Sequence, residues 1–238
     1  MLDWIATNQV DVLMIQETKL KQDAFFHDRF AEIGYRSVHF GQGQWNGVAI
    51  VAKGEMTEVS YGLLGETFDE ARAISAVVDG VRFFSLYVPN GRSLDNDHYR
   101  YKLDFLDKLA EQVKDLVSSD TPLILGGDFN IAPKDTDVFD PEAFVGQTHV
   151  SPEERDALTA VLGAGVVDLA ELPGQTPSYT YWDYRQGFFR RGLGMRIDLL
   201  LGSPEVARAT ALVEVDRSAR ESSRPSDHAP LAGELAGL

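Results

Sequence analysis

The chain has no cysteine among its 238 residues, which excludes disulfide scaffolds and thiolate metal sites. It contains no run of eighteen apolar residues, so neither a membrane-spanning helix nor a membrane partner is expected. Internal repeats, low-complexity tracts and interdomain linkers are also missing, while 44% of the residues are hydrophobic. A chain of this length and composition can bury a large core, and we expect one domain over residues 1–238. Positive charge is scarce: 22 Lys and Arg stand against 37 Asp and Glu, for a net charge of −15. That balance argues against a protein that grips nucleic acid over its whole surface by counterion release.

What is present is a set of apolar strands that end in polar side chains. In Thr121-Pro-Leu-Ile-Leu-Gly-Gly-Asp-Phe-Asn130 a short apolar run, bounded by Pro122 and by Gly126 and Gly127, reads as a buried strand. If the extended conformation continues, Asp128 and Asn130 share one face and Phe129 packs on the other. The plainer alternative is that Asp128 only caps the following turn. Three more strand ends carry the same signature. Val10 to Glu17 ends in a glutamate followed by Thr18 and Lys19, Asp198 sits among apolar neighbours in Arg196 to Pro204, and Ser226-Asp227-His228 leads into the last strand. Clustered Asp, Glu, Asn and His are what metal-assisted phosphoester hydrolysis needs. The substrate is an anion that repels hydroxide, and its transition state gathers further negative charge. Magnesium relieves both with one or two protein carboxylates and several waters. A histidine polarises the phosphate, an aspartate on its other nitrogen fixes the tautomer, and a further aspartate manages the water proton.

Between these ends, Gln22 to Gly34 reads as a helix and Gly47 to Ala52 as a strand. Arg72–Asp79 and Val81–Val88 read as a hairpin about Asp79-Gly80. Asp97 to Val117 is the clearest amphipathic helix, with Leu103, Leu106, Leu109 and Val113 at spacings of three and four. Ser151-Pro-Glu-Glu154 carries a capping box at the start of another. Lys134 to Thr148 is a long acidic, aromatic segment, either a substrate-flanking loop or a plain surface loop. Arg185 to Arg196 holds four arginines, no acid and three glycines, a composition suited to duplex phosphates and a minor groove.

Gln16-Glu17-Thr18, Tyr87-Val-Pro-Asn90, Gly127-Asp-Phe-Asn130, Arg196-Ile-Asp198-Leu-Leu-Leu and Ser226-Asp-His-Ala-Pro230, in that order, closely resemble the exonuclease III family of apurinic/apyrimidinic endonucleases. The resemblance implies an α+β fold, a four-layer α/β sandwich of two packed mixed β-sheets flanked by helices. It implies a magnesium-dependent DNA phosphodiesterase, with manganese as a substitute ion, that cleaves 5′ to abasic sites and degrades duplex DNA from 3′ ends. By the same resemblance Glu17 is the principal metal ligand with Asp227 near the metal, Asp198 orients His228, and Asp128 handles the proton of the attacking water or leaving group. Asn130 positions Asp128 and the phosphate, and Tyr87 and Asn90 touch the phosphate or order the site. Arg72 and Arg92 match positions that contact the DNA backbone, and Arg185, Arg190, Arg191 and Arg196 add basic contacts. Tyr181, Met195 and Ile197 match side chains that enclose a flipped-out abasic sugar, although many relatives have tryptophan in place of Met195. The partner implied is double-stranded DNA, the protomer a monomer, and the compartment, with no signal peptide visible, the cytoplasm.

Members of this family normally open with a strand carrying Trp-Asn-Val-Asn or Trp-Asn-Val-Asp. This chain begins at Met1-Leu-Asp-Trp-Ile, which reads as the middle of the helix that follows that strand. The first strand is therefore expected to be missing, with weak activity and low melting temperature for residues 1–238, both restored by about twenty upstream residues. Two other readings follow from the same residues. One is a phosphodiesterase of the same fold acting on inositol phosphates or lipid head groups, and the other a non-catalytic DNA-binding remnant.

Overall fold

The computed structural model describes residues 1–63, 70–119, 121–222 and 224–238. In chain order these form α1 (Leu2–Asn8), β1 (Val12–Ile15), α2 (His27–Glu32), β2 (Arg36–Phe40), β3 (Val48–Ala52), β4 (Met56–Tyr61), β5 (Ala73–Val78) and β6 (Val81–Tyr87). There follow α3 (Asp97–Val117), β7 (Leu123–Asp128), α4 (Pro152–Gly163), β8 (Val167–Asp168), α5 (Phe188–Arg191), β9 (Asp198–Gly202), α6 (Pro204–Ala209), β10 (Thr210–Val215) and β11 (Leu231–Leu235). The chain divides into two compact units, Met1–Tyr87 with Ser119–Gly127, and Val88–Ser118 with Asp128–Leu238.

In the first unit, β3 lies between β1 and β2 in an antiparallel three-stranded sheet, with Ile15 opposite Ala49 and His39 opposite the same residue on the other side. Every β3 residue is buried, as expected of a short apolar run at the centre of a sheet. The strands β4, β5, β6 and β7 are neighbours in that order in a second sheet. The predicted hairpin is present: β5 and β6 pair antiparallel about Asp79 and Gly80, whose φ values of 48° and 84° are those a type I′ turn demands. The predicted helix from Gln22 to Gly34 is broken. A 3₁₀ turn covers Gln22–Ala24, Phe25 is extended, and α2 starts only at His27. The reason is tertiary, because the Phe25 ring is buried against His39 at 4.4 Å and Phe30 at 5.6 Å between centroids.

The second unit holds α3, whose cap Asn96 accepts from the His98 amide at 2.9 Å. Its buried face carries Leu106, Leu109 and Val113 as the spacing predicts, but Lys102 and Phe105 are buried beside them and Leu103 is only half-buried. α4 opens with the predicted capping box: Ser151 Oγ accepts from the Glu154 amide at 3.2 Å and the Ser151 amide donates to Glu154 Oε2 at 3.1 Å. That same Glu154 is fully buried and pairs with Lys102, so a cap residue doubles as the partner of an interior ammonium. Strand β9 is buried throughout and pairs with β8, while β10 and β11 form a two-stranded antiparallel ribbon.

Candidate active site

The first unit presents Glu17 just past the end of β1, at φ 50°. A glutamate in the left-handed region is held there by its surroundings. The Thr18 and Lys19 amides donate to the carbonyls of Gly47 at 3.1 Å and Asn46 at 2.9 Å, which fixes the turn. The Tyr87 hydroxyl donates to Glu17 Oε1, and Lys19 Nζ lies 2.6 Å from Oε2. Arg72 was expected on the DNA backbone, but it is 4% exposed. Its guanidinium stacks 4.7 Å from the Tyr87 ring centroid, donates to the Tyr87 carbonyl at 3.3 Å and pairs with Glu70. Arg72 therefore orders Tyr87 from beneath. Gly127 has φ 145°, and a Cβ there would stand 2.0 Å from the Leu86 carbonyl oxygen, so only glycine allows β7 to pass β6 this closely.

In the second unit Asp128 and Asn130 are both buried. The expected extended continuation does not occur. Asn130 has φ 52°, and a turn brings the two side chains together. Asp128 Oδ1 accepts the Asn130 amide at 2.8 Å, while Asn130 Nδ2 donates to Asp128 Oδ2 and to the Val88 carbonyl, each at 3.0 Å. The turn-capping role is thus real: Oδ1 accepts the backbone amide, while Oδ2, which accepts from the Asn130 side chain, is also the oxygen that faces His228. His228 Nε2 lies 4.0 Å from Asp128 Oδ2, and its Nδ1 lies 2.8 Å from Asp198 Oδ2. Burial opposes charge on this imidazole, but Asp198, then Asp128 and Asp227, outweigh it and push its pKa up to about 10. His228 is therefore an imidazolium at neutral pH, with a carboxylate on each side. Asp198 is placed by the Thr180 hydroxyl, which accepts its amide at 3.1 Å. The Tyr181 ring lies 5.0 Å from His228, and burial pushes its phenol up to about 12.

Several other predicted residues land elsewhere. Arg196 is 2% exposed, with Asp137 at 2.8 Å, Asp168 at 2.6 Å and Glu171 at 3.2 Å around its guanidinium, so it is an interior anchor and not a DNA contact. The acids come from outside its own loop, which is why a count of charges within Arg185 to Arg196 missed them. Asp137 belongs to the Lys134 to Thr148 segment, and the Phe139 amide donates to the Gly194 carbonyl at 3.1 Å; this segment braces the basic loop. Arg185 is exposed but bound by Asp183 at 2.7 Å. Arg190, Arg191 and Arg92 are exposed, with Arg191 stacked 5.8 Å from the Phe188 ring. Met195 and Ile197 are 7% and 2% exposed and pack with Ala132 and Val138 in a hydrophobic cluster against which Tyr181, the third predicted pocket residue, also packs.

Three residues that sequence reading missed complete this corner. His149 Nε2 lies 3.1 Å from Asn130 Oδ1 and 3.2 Å from Asn90 Nδ2, and Asn90 Nδ2 donates to Asn130 Oδ1 at 3.0 Å. Lys102 Nζ donates to the Asn130 carbonyl at 2.7 Å and pairs with Glu154, which accepts the His149 amide at 3.0 Å. The apolar stripe of α3 gave no sign of Lys102, and Glu154 read only as a cap. Nothing local marks His149.

Among the described residues no group of three His, Asp or Glu is arranged to hold a metal. Magnesium does not need one, since it keeps most of its waters and takes one or two carboxylates. The Glu17 carboxylate, 39% exposed and facing a lysine ammonium, fits a hard cation. Asp227 sits next to His228 in the second unit and is half-buried.

The sequence matches the Endonuclease/Exonuclease/phosphatase family over residues 1–228. It is 31% identical to the DNA repair nuclease APEX1 of Danio rerio over 97% of this chain and 74% of that protein. Among solved structures, NExo from Neisseria, described as a 3′ phosphatase bound to a product DNA hairpin, matches with TM-score 0.95 and 39% identity, covering 99% of this chain and 92% of that one. The same NExo from Neisseria meningitidis is described as a 3′-5′ exonuclease. An AP endonuclease from Archaeoglobus fulgidus matches with TM-score 0.94 and 34% identity over 99% and 92% of the two chains. With its mixed sheets flanked by helices in the α/β sandwich of these relatives, the chain belongs to the Endonuclease/Exonuclease/phosphatase family, as an exonuclease III-like DNA repair nuclease that hydrolyses phosphodiester bonds.

Proposed function

We propose that this chain is a magnesium-dependent phosphoesterase of double-stranded DNA that processes 3′ ends, removing 3′-phosphate and nucleotides, and nicks abasic sites more weakly. The observation that carries the reading is His228, fixed at Nδ1 by Asp198 with Nε2 facing Asp128. Its Nε2–H can donate to a phosphoryl oxygen and offset the charge that builds there. Asp128 Oδ2 can take the proton of an attacking water or return one to the leaving oxygen, and Asn130 holds that carboxylate in place. Magnesium, when bound, would neutralise phosphoryl and leaving-group charge, with Glu17 its principal holder. Tyr87 orients Glu17 through its hydroxyl.

The preference for 3′ ends is supported by the 39% identical relatives, described as a 3′ phosphatase and a 3′-5′ exonuclease, and by Met195 and Ile197, which are packed into the core. Inositol phosphates and lipid head groups are less favoured, because every relative named above acts on DNA or carries a DNA-repair name. The test offers purified protein a duplex with a recessed 3′-phosphate, a duplex with a 3′-hydroxyl end, a duplex with one abasic site, and an inositol polyphosphate. Hydrolysis fastest on the 3′-phosphate duplex and abolished by chelator is expected. Faster abasic nicking would reverse the preference, and turnover of the inositol polyphosphate alone would overturn the DNA assignment.

A further inference from the structure

Behind Asn130 lies a cluster with no part in the proton transfers above: the half-buried His149 and the buried Thr148, Lys102 and Glu154. Asn130 itself is doubly constrained. Its left-handed backbone is pinned by Lys102 Nζ on its carbonyl, and its carboxamide has a single workable orientation. Nδ2 donates to two acceptors, Asp128 Oδ2 and the Val88 carbonyl, so Oδ1 must face the other way. There it meets Asn90 Nδ2 at 3.0 Å and His149 Nε2 at 3.1 Å. Asn90 is oriented independently, since its Oδ1 accepts the Arg92 amide at 3.2 Å.

An unprotonated Nε2 could accept from Asn90 Nδ2 at 3.2 Å but would set its lone pair against the nearer Asn130 carbonyl oxygen, whereas an Nε2–H makes a hydrogen bond to that oxygen, at which Asn90 Nδ2 is already directed. Thr148 Oγ1, 3.0 Å from Nδ1, has a hydroxyl hydrogen to offer the bare nitrogen. The imidazole is carried on a backbone at φ 78°, a strained value for histidine, and is held there through its amide by Glu154. Glu154 is fixed in turn by Lys102 and by the Ser151 amide and hydroxyl. The chain of contacts runs without a gap from a buried ion pair to the carboxylate that moves the proton.

We propose that His149 is a positioning residue: as a neutral Nε2–H imidazole it locks the Asn130 carboxamide, and through it the Asp128 carboxylate, with the Lys102–Glu154 pair as its mount. This rests on the reading of Asp128 as the group that handles the proton. Burial, and next the charge of Lys102, pull the His149 pKa down to about 4, in keeping with a neutral ring over the working range. Positioning partners of this kind typically change activity by about ten- to a hundredfold when removed.

Two measurements decide it. Imidazole nitrogen spectra of the full chain at neutral pH should identify His149 as the Nε2–H tautomer, with Asn130 side-chain amide protons slow to exchange. An Nδ1–H tautomer would overturn the inference whether or not the protein is active. In turnover on the 3′-phosphate duplex, His149→Phe should lower kcat about tenfold with KM within about twofold, and His149→Gln, whose amide can reach Asn130 Oδ1, should recover most of that loss. Equal rates in the parent, Phe and Gln proteins, or equal losses in both variants, would also overturn it. A parent that hydrolyses none of the DNA substrates would refute the functional reading instead, and the tautomer would still decide this one.

Discussion

His228 and His149 both flank the turn of Asp128 and Asn130 and differ in charge state. His228 faces Asp198 and Asp128 with Asp227 nearby, and its pKa is pushed up to about 10. His149 is half-buried near Lys102, and its pKa is pulled down to about 4. Both are partly removed from water, which by itself disfavours the imidazolium in each case. The difference is the fixed charge around them: at His228 carboxylates outweigh burial, whereas at His149 Glu154 opposes Lys102 and burial prevails. One ring becomes a cation suited to an anionic phosphate, and the other a neutral donor suited to a carboxamide. Asp128 and Asn130, two residues apart in one turn, divide the labour between the two rings.

The strongest way to break this contrast is to remove the charge behind His149. Lys102→Met leaves Glu154 buried without its cation, and loss of one partner of such a pair costs about 3–5 kcal/mol, measurable by urea denaturation. Lys102→Met/Glu154→Leu should recover a large part of that loss, and failure to do so would show that the pair is not the main source. A second comparison removes the reacting groups. Asp128→Asn and His228→Asn should each lower the single-turnover rate on the 3′-phosphate duplex by about a hundredfold or more with the melting temperature little changed. If His149→Phe cost as much as His228→Asn, the two rings would not differ in role.

The two histidines also predict opposite arms of a stability–pH profile, measured with chelator present. His228 is raised from 6.5 to about 10, so its contribution is full below pH 6.5 and is lost as pH climbs through about 10. His149 is lowered from 6.5 to about 4, so the unfolded chain binds its proton first, and stability falls as pH drops from 6.5 through about 4. Asp198→Asn should flatten the alkaline arm only, and His149→Gln the acid arm only; either variant flattening both would collapse the contrast. The smallest effect is expected at the exposed loop. Arg190→Ala with Arg191→Ala removes two solvent-facing cations, which should weaken duplex binding and flatten its salt slope by up to about two. Adding Arg196→Ala should instead unfold the loop, because that guanidinium holds three carboxylates inside the protein.

Much of the local structure is legible in the sequence alone. The limits of α3, the capping box at Ser151 and the Asp79-Gly80 turn follow from short-range rules, since a helix cap or a type I′ turn is settled by residues within a few positions of each other. The five ordered motifs likewise announced Glu17, Asp128, Asn130, Asp198 and His228, because acids and histidine at the ends of apolar strands are conspicuous against their neighbours. Where the sequence rule assumed that local pattern decides, it failed. Phe25 broke a helix to fill a core, and Asn130 left the strand to fold back on Asp128.

Charge was the property that only tertiary structure decided. Arg72 and Arg196 read as basic contacts and turned out to be interior, because Glu70, Asp137, Asp168 and Glu171 come to them from other parts of the chain. Lys102, Glu154 and His149 carried no local signal, since 52 residues separate the members of the ion pair and 19 separate His149 from Asn130. Residue type and spacing fix which atoms can titrate or donate. Whether they do so at a given pH depends on burial and on the sign of charges a few ångströms away, and those distances exist only once the chain has folded.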